Sequence, residues 1–167
     1  MKTLVKRAKS KDAEAFISLI EECKMTLKRV AIGYLGNDED AADAIQDTIL
    51  SAYEHIGDLQ KDEYFKTWLV RILINHCTRI WRANKNKVSM EEGFENTTGR
   101  ADTAKSEMEF RELLFSLPEE SRVIFQLYYG EQFTTREIAD ILNMKENTVK
   151  SRLHRGKEQL RMELQEG

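Results

Sequence analysis

The sequence predicts an all-α protein made of two small helical domains. Its 167 residues include only eight Gly and one Pro, too few turn-forming residues for the many tight hairpins of a β-sandwich or barrel. Over long stretches, apolar residues recur every three or four positions, as they do along one face of an amphipathic helix. Hydrophobic residues make up 41% of the chain and charged residues 33%, which is typical of packed helices with charged outer faces.

Three or four helices are predicted in a first domain, residues 1–88. The apolar periodicity extends from Asp12 to Leu35, from Asp38 to Ile56 and from Glu63 to about Asn86. The composition changes at residues 89–106, which are rich in Gly, Thr, Asn and acidic residues and almost free of large apolar side chains. Because such a segment cannot form a packed core, we predict a flexible linker there.

A second domain is predicted over residues 107–167, where the periodicity resumes in short helices. Ser116 is predicted to cap a helix with Pro118 in its first turn, and Thr134 with Glu137 has the spacing of a capping box. The chain ends in a helix-turn-helix pattern, although an ordinary helical hairpin would show the same periodicity. The first helix of the pattern is Thr135 to Leu142, the turn is Asn143 to Lys145, and the second helix is Glu146 to about Leu164.

Both helices of this pattern are amphipathic. The inward side chains are predicted to be Ile138, Ala139 and Leu142 in the first helix and Val149, Leu153, Gly156 and Leu160 in the second. The outward face of the second helix carries the side-chain types that bind base edges and phosphates in the major groove of DNA. Its residues are Asn147, Thr148, Lys150, Ser151, Arg152, His154 and Arg155.

Charge is segregated within the first domain, although the formal net charge of the whole chain is only −3. Residues 37–63 contain nine acidic residues and one basic residue, whereas residues 64–90 contain six basic residues and no acidic one. Two adjacent segments of opposite charge suggest two different partners.

The basic segment forms a polar face on the third predicted helix. Such a face can neutralise phosphates, and neighbouring aromatic side chains can stack on unpaired bases. The alternative is a solvated helix face with the aromatic residues in the core. The polar face contains Arg71, Asn75, Thr78, Arg79, Arg82, Lys85 and Asn86, and the aromatic residues are Tyr64, Phe65, Trp68 and Trp81.

The acidic segment forms a stripe along the second predicted helix, opposite an apolar face. Two interpretations of this stripe remain open, a solvated helix face and a docking surface for a basic helical partner. The acidic residues are Asp40, Asp43, Asp47, Glu54 and Asp58, and the apolar residues are Ala42, Ile45, Ile49, Ala52 and Ile56.

No pattern in the sequence indicates an enzyme. The common phosphate-binding, dinucleotide-binding, zinc-protease and serine-hydrolase motifs are absent, and His55, His76 and His154 lack ligand spacing. Cys23 and Cys77 are far apart and form no CxxC motif, so we expect neither a disulfide nor a metal site. We also expect no cofactor and no small-molecule substrate. With no signal peptide and no run of about 20 apolar residues, the chain is expected to be cytoplasmic.

Five segments of the sequence resemble those of bacterial alternative sigma factors of the extracytoplasmic-function (ECF) group. They are Lys11–Phe16, Asp43–Ile49, Phe65–Ile72 with Asn75, Leu117–Glu119 and Thr148–Leu153. They occur in this order with a linker between them, so the resemblance extends over nearly the whole chain. The resemblance implies two domains, called region 2 and region 4, that recruit core RNA polymerase to a promoter.

The resemblance also implies a role for each charged face of region 2. The second predicted helix would bind the clamp helices of the polymerase beta-prime subunit. Its contact residues would be Asp43, Gln46, Asp47 and Glu54. The following segment would melt the minus-10 element and hold a flipped non-template base, with Asn75 at the base-reading position of the family. The residues expected at minus-10 DNA are Leu59, Tyr64, Arg71, Asn75, Arg79, Arg82 and Lys85.

Region 4 would bind the minus-35 element through the outward face of its last helix and would contact the beta flap of the polymerase. The linker would lie along the RNA exit path, and a membrane-associated anti-sigma factor is expected as a regulatory partner. Two residues depart from the family pattern, since Arg79 stands where Asp is common and Asn147 where Gly is usual.

Two other classes of function compete with this interpretation. The first is a DNA-binding transcription regulator whose N-terminal domain senses a ligand or partner, which leaves the acidic stripe unexplained. The second is a helical enzyme, which would need a clustered polar site that the sequence does not contain.

Overall fold

The computed structural model describes residues 1–87 and 112–166. All regular secondary structure in these two ranges is helical, and the chain divides into two compact units, Met1–Gly93 and Phe94–Gly167. The prediction of an all-α protein with two small domains is therefore confirmed. The predicted linker, residues 89–106, lies outside the described residues, so its flexibility and its bounds stay predictions.

Four helices and two short 3-10 turns make up the described part of the first unit. The helices are α1 (Lys2–Lys9), α2 (Ala13–Leu35), α3 (Asp38–His55) and α4 (Phe65–Lys87), and the 3-10 turns are Ile56–Asp58 and Asp62–Tyr64. The bounds of α2, α3 and α4 agree with the predicted bounds to within two residues. Helix α1 was not predicted; half of its residues are basic, but it buries Val5 and Ala8 and packs on α2.

Side-chain caps fix the starts of α2 and α3. A carboxylate oxygen of Asp12 accepts a hydrogen bond from the Ala15 amide (3.2 Å), and the side-chain oxygen of Asn37 accepts one from the Asp40 amide (2.8 Å). Gly36 ends α2 with a φ of 82°, a left-handed conformation that Gly adopts without steric cost. The chain reverses direction at Gly36 and Asn37, so α3 packs back against α2.

Helix α4 packs against both α2 and α3. Its side chains Phe65, Leu69 and Leu73 are fully buried. Helix α3 contributes mainly small side chains to the core, and these allow it to approach its neighbours closely. They are Ala41, Ala44, Thr48 and Ala52. The prediction that Ala42 faces the core was wrong, because α3 is rotated so that Ala41 is buried and Ala42 is exposed.

The described part of the second unit starts with helical residues 112–115 and continues through three helices. These are α5 (Glu119–Phe125), which runs into a π-helical turn (Gln126–Gly130), α6 (Thr135–Leu142) and α7 (Glu146–Glu166). The prediction that Ser116 caps α5 was wrong. Its hydroxyl donates to the carbonyl oxygen of Leu113 (2.6 Å), in the preceding helical turn, and Pro118 occupies the N-cap position.

Helices α6 and α7 form the predicted helix-turn-helix. Thr134 and Glu137 make both hydrogen bonds of a capping box, and Asn143 ends α6 with a left-handed φ of 53°. Helix α7 lies against α5 at Gly156, where a Cβ atom would overlap the ring of Phe125. Of the predicted inward side chains, Ile138, Ala139, Val149, Leu153 and Gly156 are buried, and Leu142 and Leu160 are half-buried. Ile141, which was not predicted to face inward, is also buried.

Candidate nucleic-acid and protein interfaces

Helix α4 separates a buried apolar face from an exposed basic face. Phe65, Leu69, Leu73 and Cys77 are fully buried on the apolar side. The exposed residues, which we call the basic face, are Arg71, Asn75, Arg79, Arg82 and Lys85. The sequence predicts all five on one side of the helix, and the structure exposes all five. What they bind stays a prediction.

Thr78, which the sequence also predicts on this polar face, has a structural role. Its hydroxyl donates to the carbonyl oxygen of Ile74 (2.8 Å) and lies 3.0 Å from the hydroxyl of Tyr34. The second contact ties α4 to α2. The side chain of Asn86 lies outside the described residues.

His76 lies between the basic face and α3. Its Nδ1 atom contacts the guanidinium of Arg79, and its Nε2 atom is 3.1 Å from the hydroxyl of Ser51 on α3. Burial lowers the pKa of His76, and nearby Arg79 lowers it further, whereas Asp47 raises it. The lowered pKa favours a neutral imidazole, which can accept a hydrogen bond from Arg79. The sequence analysis gave His76 no role.

The four aromatic residues of this segment differ in exposure. Tyr64 is 50% exposed, and the Nζ atom of Lys61 lies 5.6 Å from the centre of its ring. Phe65 is fully buried, Trp68 is half-buried against it, and Trp81 packs edge-on against Tyr34. Tyr64 is therefore the aromatic side chain of this group that is most available to stack on a base.

Leu59 is buried, although the resemblance predicts it at minus-10 DNA. Only 6% of the residue is exposed, as for nearby Ile56. Its amide donates to the carbonyl oxygen of Ile56 (3.2 Å). An apolar side chain in a short connection is drawn into the core, and Leu59 thereby anchors the segment between α3 and α4. It is not available at the surface in this structure.

Helix α3 exposes an acidic face. We use this name for Asp43, Asp47 and Glu54, which are exposed and form no ion pair with any residue in the described ranges. Gln46 is exposed beside them.

Two other acidic residues of the predicted stripe are already engaged. Asp40 accepts hydrogen bonds from the side-chain amides of Asn37 (2.9 Å) and Asn84 (2.8 Å). Asp58 lies beyond the end of α3, 3.3 Å from Nδ1 of His55.

Two large apolar side chains are exposed on α3, beside the acidic face, and the sequence analysis did not identify them. Leu50 is 61% exposed and Tyr53 is 51% exposed. One edge of Tyr53 packs on Phe16 of α2, with the ring centres 5.1 Å apart. The signal was present in the sequence, because Gln46, Leu50 and Tyr53 have the spacing of neighbours along one line of a helix. Acidic and apolar groups therefore form one mixed surface on α3.

The outward face of α7 is exposed and rich in polar and basic groups. Lys150, Ser151, His154 and Arg155 line an open depression of about 630 Å³, and Asn147 is exposed one turn earlier. Thr148 and Arg152 are half-buried, and a guanidinium nitrogen of Arg152 lies 3.9 Å from the sulfur of Met144. All seven predicted residues thus lie on α7, five of them fully at the surface.

The start of α7 is fixed to α6. The hydroxyl of Thr135 donates to a carboxylate oxygen of Glu146 (3.0 Å), and the Nζ atom of Lys150 is 3.5 Å from the same oxygen. This contact holds the first turn of α7, where the exposed polar face begins.

In the ranges 1–87 and 112–166, no group of three or more His, Cys, Asp or Glu side chains is placed to hold a metal ion. None of the helices described there has the length and apolar character needed to cross a membrane. Cys23 and Cys77 are buried free thiols, and burial raises the pKa of both, that of Cys77 to about 12.

Two protein-family matches cover most of the chain. Residues 19–87, which include the acidic face and the basic face, match Sigma-70 region 2. Residues 107–160, which include the helix-turn-helix, match Sigma-70, region 4.

Relatives match over nearly the whole length. The chain is 28% identical to the ECF RNA polymerase sigma factor SigW of Bacillus subtilis, over 99% of this chain and 97% of SigW. It is 30% identical to the ECF RNA polymerase sigma factor SigM of Mycobacterium tuberculosis, over 89% of this chain and 76% of SigM.

Solved structures share the fold. The structure of CnrH in complex with the cytosolic domain of CnrY matches with a TM-score of 0.78 at 23% identity, over 98% of this chain and 96% of that chain. The sigma factor RpoE, solved in complex with the anti-sigma factor NepR from Bartonella quintana, matches with a TM-score of 0.73 at 22% identity, over 90% and 96%. The resemblance found in the sequence is confirmed, and the chain belongs to the ECF RNA polymerase sigma factors.

Proposed function

We propose that this sigma factor binds core RNA polymerase through α3 and directs it to promoters that carry both a minus-35 and a minus-10 element. The observation that carries the proposal is that three distinct helix surfaces are exposed, each with the chemistry of a different target. These are the acidic face with Leu50 and Tyr53, the basic face of α4, and the polar face of α7.

The outward face of α7 would enter the major groove at the minus-35 element. Arg155 and Lys150 supply the charges and hydrogen-bond donors that bind guanine edges and phosphates. His154 and Ser151 lie between them around the same depression. Asn147, Thr148 and Arg152 would complete the contact at the start of the helix and on its flank.

The basic face of α4 would hold the non-template strand at the minus-10 element. Arg71 and Arg79 each lie one helical turn from Asn75 on the exposed side of α4, so two cations flank one amide. The amide can hydrogen-bond a flipped base while the cations bind the phosphates on either side. Arg82 and Lys85 would extend the phosphate contact, and Tyr64 would offer a stacking surface.

The mixed surface of α3 would dock on the polymerase. Exposed carboxylates speed association with a basic partner and select it, while apolar side chains contribute most where an interface excludes water. Asp47, Leu50 and Glu54 combine both properties at neighbouring positions of α3. This combination is more typical of a docking surface than of a solvated helix face, and it supports docking on the beta-prime clamp helices. A second contact, from region 4 to the beta flap, belongs to the same proposal.

An anti-sigma factor would regulate the chain by covering some of these surfaces. RpoE of Bartonella quintana was solved with an anti-sigma factor, and CnrH with the cytosolic domain of CnrY. The likeness to both folds supports a similar partner here, and we propose that it is attached to the membrane.

The proposal is tested by adding the purified chain to core RNA polymerase and fragmented genomic DNA from its source and mapping transcript 5′ ends. Discrete starts that need the chain and share two upstream motifs are the expected result. Binding of the chain to duplex DNA without any chain-dependent start would contradict the proposal and favour a DNA-binding regulator.

A further inference from the structure

Helix α1 contacts the chain between α3 and α4. This stretch, which we call the α3–α4 loop, comprises residues 56–64 and contains both 3-10 turns. Two ion pairs connect it to α1. The Nζ atom of Lys9 lies 2.6 Å from a carboxylate oxygen of Asp62, and the Nζ atom of Lys2 lies 3.3 Å from one of Glu63. Residues distant in sequence are thus joined at the start of α4.

The two ion pairs differ in burial. The side chains of Lys9 and Asp62 are only 25% and 16% exposed, whereas those of Lys2 and Glu63 are 67% and 52% exposed. An exposed pair contributes little because water and salt screen it. The Lys9–Asp62 pair is screened less, and buried Val5 and Ala8 hold α1 in place beside it. Lys9 is therefore the stronger of the two attachments.

The α3–α4 loop has a fixed inner side and an open outer side. Ile56 and Leu59 are buried, and Asp62 faces α1. Tyr64 is half exposed, with Lys61 over its ring. Because the inner side is fixed, Tyr64 and Lys61 on the outer side are held in position immediately before the basic face of α4.

The two ion pairs also neutralise negative charge beside the basic face of α4. Asp62 and Glu63 directly precede α4, where unpaired carboxylates would repel the phosphates that the basic face attracts. Lys9 and Lys2 place a positive charge beside each of them.

From these contacts we infer that α1 is part of the minus-10 apparatus and that Lys9 is a positioning residue, which holds Asp62 so that Tyr64 and Lys61 face the opened strand. The inference rests on the proposed function for its DNA partner. Lys9 acts through Asp62 and would not itself contact DNA.

The first experiment measures hydrogen-deuterium exchange in the full-length chain. The amides of Leu59 and Tyr64 are hydrogen-bonded within the loop and report on its opening. Lys9→Ala is expected to raise their exchange rates roughly five- to tenfold while the core of α2 and α4 exchanges as before. The control is Lys6→Ala, since Lys6 is an exposed lysine of α1 without an ion pair to a described residue. Unchanged loop exchange in Lys9→Ala, or faster exchange throughout the first unit, would overturn the inference.

The second experiment measures base preference. The probes are single-stranded oligonucleotides with the non-template minus-10 sequence of a promoter that the wild-type chain uses, and the same sequence changed one base at a time. Lys9→Ala should reduce the preference for the correct bases about tenfold. Lys9→Arg, and the swapped pair Lys9→Asp with Asp62→Lys, should restore most of it.

The outcomes separate the inference from the proposed function. If Lys9→Ala and Lys6→Ala lose equal affinity for the oligonucleotides and keep the wild-type base preference, α1 only adds positive charge. This result would overturn the positioning role. If the wild-type chain supports no start, the proposed function fails and the minus-10 role of α1 fails with it. The exchange experiment still decides whether α1 holds the loop.

Discussion

Asn75 is an uncharged side chain between cations on the exposed side of α4. A guanidinium binds any phosphate, whereas a carboxamide presents an NH2 donor group beside a carbonyl acceptor in a fixed geometry and can therefore distinguish bases. Under the proposed function, Asn75 would therefore supply specificity on α4, and the arginines around it would supply affinity.

Replacing Asn75 with Ala tests this division. We expect the variant to lose about 1–3 kcal/mol of discrimination at one minus-10 position, the usual value of a good base contact, and to start transcription less selectively there. The measurement is transcription from promoters substituted at each minus-10 position. Lys85→Ala is the control, and it should weaken all sequences alike. A uniform loss in Asn75→Ala would contradict a base-reading role.

His76 should make the first unit sensitive to acid. Its pKa is lowered below the ordinary value of 6.5, chiefly by burial, so the folded state prefers the neutral imidazole. The neutral imidazole contributes its full stabilisation at pH values above the pKa of His76 in the unfolded state. This stabilisation is lost as the pH falls through the lower pKa of His76 in the folded state. Between about pH 8 and about pH 5 the wild type should therefore lose more stability than His76→Gln.

Tryptophan fluorescence during denaturant unfolding measures this loss, because both Trp residues, Trp68 and Trp81, lie in the first unit. His55→Gln is the matched control, since His55 is an exposed histidine of the same unit. Parallel pH profiles of the wild type and His76→Gln would refute the effect.

At the scale of elements, the second unit depends on a close contact between α5 and α7. Gly is a poor helix former, and Ala at position 156 would gain about 1 kcal/mol from helix propensity alone. A Cβ at Gly156, however, would overlap the ring of Phe125, which is itself buried. The contact between the two helices therefore outweighs the local preference of the chain.

Gly156→Ala is accordingly expected to destabilise the second unit by about 1–3 kcal/mol, the usual cost of overpacking a core. Circular dichroism during denaturant unfolding measures the change. Gly57→Ala is the control, because a Cβ there would meet no atom within 4 Å. A Gly156→Ala variant as stable as the wild type would show that Phe125 moves aside without cost.

Apolar periodicity predicted the bounds of α2, α3 and α4, and the spacing of Thr134 and Glu137 predicted the start of α6. The structure adds that Asp12 and Asn37 accept the capping hydrogen bonds of α2 and α3. Helix α1 was missed because it is only eight residues long and half of these are basic, so that it buries just two residues, Val5 and Ala8. Its partners Asp62 and Glu63 lie more than 50 residues away, and a local pattern carries no information on such contacts.

A helical wheel could not predict the rotation of α3 about its axis. Small residues lie on more than one side of this helix, and its neighbours decide which of them is buried. Ala41 faces the core while Ala42 does not. For the same reason Ile45 and Ile49 are only half-buried, and Leu50 and Tyr53 are left exposed.

At the scale of the whole molecule, a net charge of −3 conceals surfaces of opposite sign. The acidic face of α3 and the basic face of α4 belong to the same unit. Under the proposed function, each face would attract its own partner over a distance of about one Debye length, about 8 Å at physiological salt. Charge would then separate a protein partner from a nucleic acid on one small domain.

Asp47→Lys tests this sorting. The reversal should weaken association with core polymerase roughly tenfold, while the fold stays intact because an exposed charge contributes little to stability. Fluorescence anisotropy of the labelled chain measures the affinity for core polymerase. Glu21→Lys is the control, an exposed charge reversal on α2. Equal affinities for the wild type and Asp47→Lys would refute the docking role of the acidic face.

The two buried cysteines have a practical consequence for such measurements. Maleimide dyes react with thiolates, and the two thiols of the chain, at Cys23 and Cys77, are buried with raised pKa values. A single cysteine introduced at a surface position can therefore be labelled without first removing the native ones. With one such cysteine in each unit, labelled with a donor and an acceptor dye, single-molecule energy transfer would follow the distance between the units as polymerase, promoter DNA or an anti-sigma factor is added.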